Sequence, residues 1–243
     1  MPRVLDGPAS SHFHPVLLAG NVARVDLPQV GLSPEMAAAA EQAPSGACVA
    51  WGIPFTVGDP LVIAKEPVTV AVAPTRAPWL IFLHTSDLRP LAWRADGFIP
   101  ASTGYGHLGE RAADYVIRYE DGSEERVAIR RRHQIGAFTR RWGENCFQAV
   151  AAHKPYTIPA QQEQVSPLSR SWGRSQTRAT AGDSAPWTNW LWAWENPHPD
   201  RAIVGLRFEP VIGTLVICGL AAGTASEMSF RPAVVAASMI PIS

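Results

Sequence analysis

The stretch ERVAIRRRHQIGAFTRRWGEN, residues 125–145, carries Arg126, Arg130, Arg131, Arg132, Arg140 and Arg141 with no acidic residue between Arg126 and Gly143, and Trp142 directly follows the last of them. A guanidinium is a planar fork of donors that fits a carboxylate or sulfate in bidentate fashion, and an indole beside it offers a flat apolar face. Such a set suits an acidic sugar, and the same chemistry suits a nucleic-acid strand. The competing expectation is structural. These arginines then pair with Glu120, Asp121, Glu124 and Glu125 across a hairpin, or are simply solvated.

A second constellation is WTNWLWAWEN, which puts Trp187, Trp190, Trp192 and Trp194 within residues 187–196. On a strand the last three share one face at intervals of about 6.6 Å, close to the spacing of successive sugar rings. Indole faces bind the C–H faces of sugars and keep an N–H for a hydroxyl, so a glycan platform is one reading. Burial in a core is the other. Trp194 precedes Asn196-Pro197-His198-Pro199-Asp200, whose prolines remove two backbone donors and end a strand, so it is expected to be buried against that corner.

Signals for catalysis are sparser. His12-Phe13-His14 has the form of a metal-binding pair without a third ligand at a characteristic spacing. His84, His107, His133 and Asp87 are available to converge in space. Glu110, Asp114, Glu144 and Glu195 are carboxylates of the kind a glycosidase uses, but such a pair is defined by separation and unequal pKa values. A base and an arginine that neutralises a uronate would suffice for a polysaccharide lyase, with the His107 and His133 regions and Arg141 in those roles. GYGHLGE, residues 104–110, with Tyr105 and His107, matches neither a P-loop nor a dinucleotide fingerprint and reads as a rim loop.

Short segments rich in β-branched and aromatic residues must position these groups: 47–51, 68–73, 79–85, 114–119, 125–130, 202–208 and 213–220, each bounded by Gly, Pro, Asp or Ser. Asp121-Gly122 between two alternating runs predicts a hairpin that puts Tyr115, Ile117 and Tyr119 on one face. SPEMAAAAEQ, residues 33–42, predicts one short helix capped by Ser33, with Pro34 in its first turn. Residues 153–186, including Trp172, break the strand rhythm with a long polar excursion suited to a functional loop.

The chain has 243 residues, 47% of them hydrophobic and 17% charged, enough to fill a substantial core. Its 21 basic and 21 acidic residues balance, so no global field steers it onto nucleic acid or an anionic membrane. Cys48, Cys146 and Cys218 show neither disulfide-scaffold nor zinc-ribbon spacing and read as buried thiols. The first residues lack the basic-then-apolar pattern of a signal peptide, and no apolar run is long enough to span a bilayer, so no location is implied.

The segments IPFTVGDP (53–60), LIFLHTS (80–86), DYVIRYEDGSEERVAI (114–129) and WENPHPDRAIVGLRF (194–208) together resemble galactose-binding-like β-sandwich modules of bacterial polysaccharide-active enzymes. The resemblance implies an antiparallel β-sandwich, or jelly roll, with an accessory, non-catalytic role near carbohydrate. It assigns Trp194, Asn196 and Pro197 to the corner, and His84 with Thr85 to the polar end of a buried strand. No cofactor is implied, although a structural calcium ion is common in such sandwiches.

The organisation expected is an N-terminal extension with a short helix over 1–46, a sandwich module over 47–220 and a C-terminal strand or tail over 221–243. The expected function is binding of polysaccharide or oligosaccharide, acidic in particular, in support of a parent enzyme's catalytic domain. Its contacts are drawn from Trp142, Arg140, Arg141, Tyr105, His107, Trp172 and Trp187. The alternatives are part of a catalytic lyase or glycoside hydrolase, and a structural interaction domain marked by an apolar patch on one exposed sheet face.

Overall fold

The computed structural model describes residues 8–89, 107–140, 145–152, 186–226 and 228. In chain order its elements are β1 (Phe13–Val16), α1 (Pro34–Ala39), β2 (Gly46–Ala50), β3 (Ile53–Val57), β4 (Leu61–Ile63), β5 (Val68–Thr75), β6 (Trp79–Ser86), β7 (Arg111–Tyr119), β8 (Glu124–Arg130), β9 (Ala149–Ala151), β10 (Trp190–Glu195), β11 (Ile203–Pro210) and β12 (Leu215–Gly223). The protein is an all-β antiparallel sandwich with one short helix. One sheet runs β1-β12-β6-β10-β9, with β4 also on β12, and the other runs β5-β11-β7-β8.

The two sheets enclose a core built by strand alternation. Phe82, Trp190, Trp192, Trp194, Leu215, Ile217, Leu220 and Ala222 face Val70, Val72, Tyr115, Ile117, Tyr119, Leu206 and Phe208. A register shift between Ile217 and Gly219 explains why the inward positions of β12 change parity along the strand. The tryptophan ladder is therefore interior: Trp190, Trp192 and Trp194 are all buried, which overturns the platform reading and fulfils the expectation for Trp194.

The opposite face of the larger sheet is covered as well. Leu83, Leu191, Val216, Cys218 and Ala221 pack on Ile53, Phe55 and Val57 of β3 and on Met36 and Ala39 of α1, forming a second core. Ser33 caps α1 as expected, its hydroxyl accepting from Met36 N at 3.2 Å. The same residue is tied to the end of β6. Asp87 accepts from Ser33 N and Ser33 Oγ, each at 2.6 Å, and from Leu88 N at 2.7 Å.

Charge closes the outer face of the smaller sheet. Asp114 lies between Arg111 and Arg126, Arg126 continues to Glu209, and Arg207 bridges Glu209 and Glu124 at 2.8 Å each. The hydrogen bond from Arg111 is the main reason the Asp114 carboxyl sits below its ordinary pKa. Arg126 thus pairs across two neighbouring strands with Asp114 and Glu209, not with the hairpin acids. Glu120 and Asp121 pair with Arg76 and Arg201. None of the large exposed apolar side chains among the described residues lies within a strand.

The ends of the sandwich differ. One carries the short connections 76–78, 120–123 and 196–202. There Gly122 takes φ +83° at the hairpin tip, and Asn196 organises the proline corner. Asn196 is buried, accepts from the Tyr119 hydroxyl at 2.6 Å and from His198 N at 2.9 Å, and donates to Ala77 O at 2.9 Å. Asn196→Ala orphans the buried Tyr119 hydroxyl and the Ala77 carbonyl, so unfolding titrations should show a loss of about 3 kcal/mol.

Candidate functional site

At the opposite end lie the strand ends that the long connections 87–110, 131–148 and 152–189 join, and of these connections residues 87–89, 107–110, 131–140, 145–148, 152 and 186–189 are described. Register fixes this: the last residues of β6 pair with the first of β10 and β12, Ala151 at the end of β9 pairs with Trp190, and Arg111 opening β7 pairs with Arg130 closing β8. Each sequence-predicted contact residue belongs to one of these connections. Tyr105, Arg141, Trp142 and Trp172 lie outside the described residues.

Arg131 links the two sheets at this end. It is buried, and its guanidinium donates to Ser86 Oγ at 2.9 Å, Asp87 O at 3.0 Å and Ile212 O at 3.3 Å, while Nε lies 3.1 Å from Glu110 Oε2. Burial lowers its pKa to about 10, leaving it charged at neutral pH. Glu110 Oε1 also faces Arg89 Nη2 and His107 Nδ1, each at 3.4 Å. His107 is accordingly a buried partner of Glu110, 6% exposed, and its ring is part of this bracing.

Arg140 reaches over Trp190, its guanidinium carbon 6.0 Å from the ring centroid. The same indole lies against Gly136, where a Cβ would collide with the ring. Trp187 is buried in the second core, beside Phe138 at 5.9 Å, with its N–H on Asn189 Oδ1 at 2.9 Å. In this position it supplies packing, and its ring is not presented to solvent.

His84 lies within the sandwich core. Because the Gln134 carbonyl can only accept, Nε2 donates to it at 2.9 Å and Nδ1 accepts from the Tyr115 hydroxyl at 2.9 Å. Its ring stacks on Trp192 at 6.2 Å. Burial holds the pKa at about 4, against 6.5 when solvated. The unfolded chain therefore binds a proton that the folded one refuses. The stability His84 permits is complete above pH 6.5 and falls by about 3 kcal/mol as pH drops to 4. Denaturant midpoints measured across that window should show the decline, and His84→Gln should remove its share of the slope.

What sequence reasoning missed at this end is Phe147. It is 53% exposed, and Leu17, Val25, Leu108 and Val211 are the other large exposed apolar side chains among the described residues. The backbone around it is fixed, with Phe147 N donating to Arg132 O at 2.9 Å and Gln148 N to His133 O at 3.0 Å. His133 lies beside the phenyl ring, centroids 5.1 Å apart. A lone Phe in a short segment between Cys146 and β9 gives no sequence signal of exposure.

His84, His107 and His133 thus have different principal partners, and His133 is the one beside an exposed ring. Among the described residues no group of three or more His, Cys, Asp or Glu side chains is placed to hold a metal ion. No described helix is long and apolar enough to cross a membrane. No protein-family model matches the chain. A comparison with curated proteins likewise gave no match.

Proposed function

We propose that this protein is a non-catalytic, galactose-binding-like module that binds acidic polysaccharide or oligosaccharide at the end bearing the long connections, in support of a catalytic partner domain. The observation that carries the reading is the asymmetry of the sandwich. One sheet's outer face is covered by the chain's own helix and β2–β3, the other's is neutralised by ion pairs, and the strand ends joined by the three longest connections lie together at one end. Loops carried at the rim of a rigid scaffold are where recognition concentrates. Arginines on residues 130–141 add a preference for anionic groups over neutral ones.

A glycan panel tests this. The chain should retain uronate-containing or sulfated polymers more strongly than neutral ones, with binding weakened by salt, and should leave the polymers intact. New reducing or unsaturated ends that disappear in a His107 or His133 variant would instead identify a hydrolase or lyase. Absence of binding across the panel would leave an interaction domain as the remaining account.

A further inference from the structure

We infer that Phe147, braced by His133 and accompanied by Arg130, is a stacking platform for a uronic-acid ring; this rests on the carbohydrate-binding reading and gives it a location and a ligand class. Single exposed apolar residues are ordinary on protein surfaces. Phe147 differs in how it is held. Its amide and that of Gln148 are bonded to the Arg132 and His133 carbonyls, and Gln134 Nε2 donates to Gln148 Oε1 at 2.6 Å. Gln134 Oε1 in turn accepts from Arg130 N at 2.9 Å, and the Gln134 carbonyl accepts from buried His84.

An exposed phenyl ring is therefore attached to the sandwich core through a continuous chain of hydrogen bonds. Such preorganisation limits the ordering cost when a flat partner stacks on it. His133 is near one part of the ring and leaves more than half of the side chain's surroundings to solvent.

Charge sets the ligand class. Arg130 donates to Gly109 O at 3.0 Å and makes no ion pair with a described carboxylate, while neighbouring Glu110 is engaged by Arg131, Arg89 and His107. The charge of Arg130 is felt at His133, where it adds to burial in lowering the imidazole pKa. Arg130 is joined through Gln134 to Gln148, the residue after Phe147, so its charge belongs to the same bonded cluster as the ring, and a ligand with an apolar C–H face and a carboxylate matches that pair of chemistries. A nucleic acid would instead need a basic track with successive stacking rings. The balanced net charge and the self-paired face of the smaller sheet do not offer one.

The test is calorimetric titration of the full chain with oligomers of galacturonate, of heparosan and of alginate, each beside its carboxyl-reduced counterpart. The wild-type protein should bind at least one uronate oligomer, and Phe147→Ala should weaken that binding about tenfold without moving the melting temperature. Phe147→Trp should retain it, and Arg130→Ala should abolish the preference for the acidic over the reduced form. Uronate binding unaffected by Phe147→Ala would overturn the platform and leave the module reading intact. No binding to any of the three would overturn the platform, and if the sulfated polymers of the glycan panel were not bound either, the module reading would fall with it. Phe147-dependent binding of oligouridylate in place of uronate would assign the ring to nucleic acid and contradict the proposal.

Discussion

Trp190→Ala should lower the free energy of unfolding by about 4 kcal/mol, the largest loss expected from a single truncation in this fold. The side chain is 2% exposed and fills the inter-sheet core at the point where β10 meets β6 and β9. Its N–H donates to Ala137 O at 2.9 Å, so truncation also orphans a carbonyl. The void cannot be closed from the Gly136 side by a side chain, because that residue has none. Gly136→Ala in the Trp190→Ala background should therefore be tolerated better than in the wild type, where the added methyl meets the indole. Urea titrations of the two single variants and the double variant would show this coupling; strict additivity would contradict the packing described.

Arg131→Met should cost about 3–4 kcal/mol, a loss of a different origin. Methionine fills much of the volume, but Ser86 Oγ and the carbonyls of Asp87 and Ile212 lose their donor, and Glu110 loses its nearest cation. Arg131→Lys should recover only part of this, since one ammonium cannot reproduce a fork that reaches partners on both sheets. Denaturant unfolding of both variants measures the ordering. Equal stability of the Lys variant and the wild type would mean that charge alone is needed and that the fork geometry is incidental.

The hairpin at Asp121-Gly122, the corner at 196–200, the Ser33 cap and most of the long strands were legible because each rests on local chemistry: a positive φ, a missing donor, a hydroxyl acceptor, an alternation of side chains. The strands β1, β3, β4 and β9 were not. FHPV, IPFTV, LVI and AVA are short, two contain proline, and neither LVI nor AVA alternates with polar residues; their pairing is set by β12, β10 and β2. For the tryptophans, spacing gave the shared face correctly. It could not say that this face is buried, because Leu191 on the opposite face is buried too.

The arginine run illustrates the same limit. Arg126 and Arg131 differ by five positions and look alike in sequence, yet one belongs to an ion-pair surface and the other crosses the interior between sheets. Partners contributed by Glu209, Ser86 and Ile212 are distant in the chain and appear only with the register. Exposure of Phe147 is likewise decided by tertiary bonds to Arg132 and His133.

Hydrogen–deuterium exchange of the chain with and without a bound uronate oligomer tests most directly the claim that this sandwich recognises its ligand at the end carrying the long connections. The account predicts ligand-induced protection in 87–110, 131–148 and 152–189, with peptides covering 76–78, 120–123 and 196–202 unchanged. Protection concentrated at the short-turn end or across the ion-paired face of β7 and β8 would contradict it.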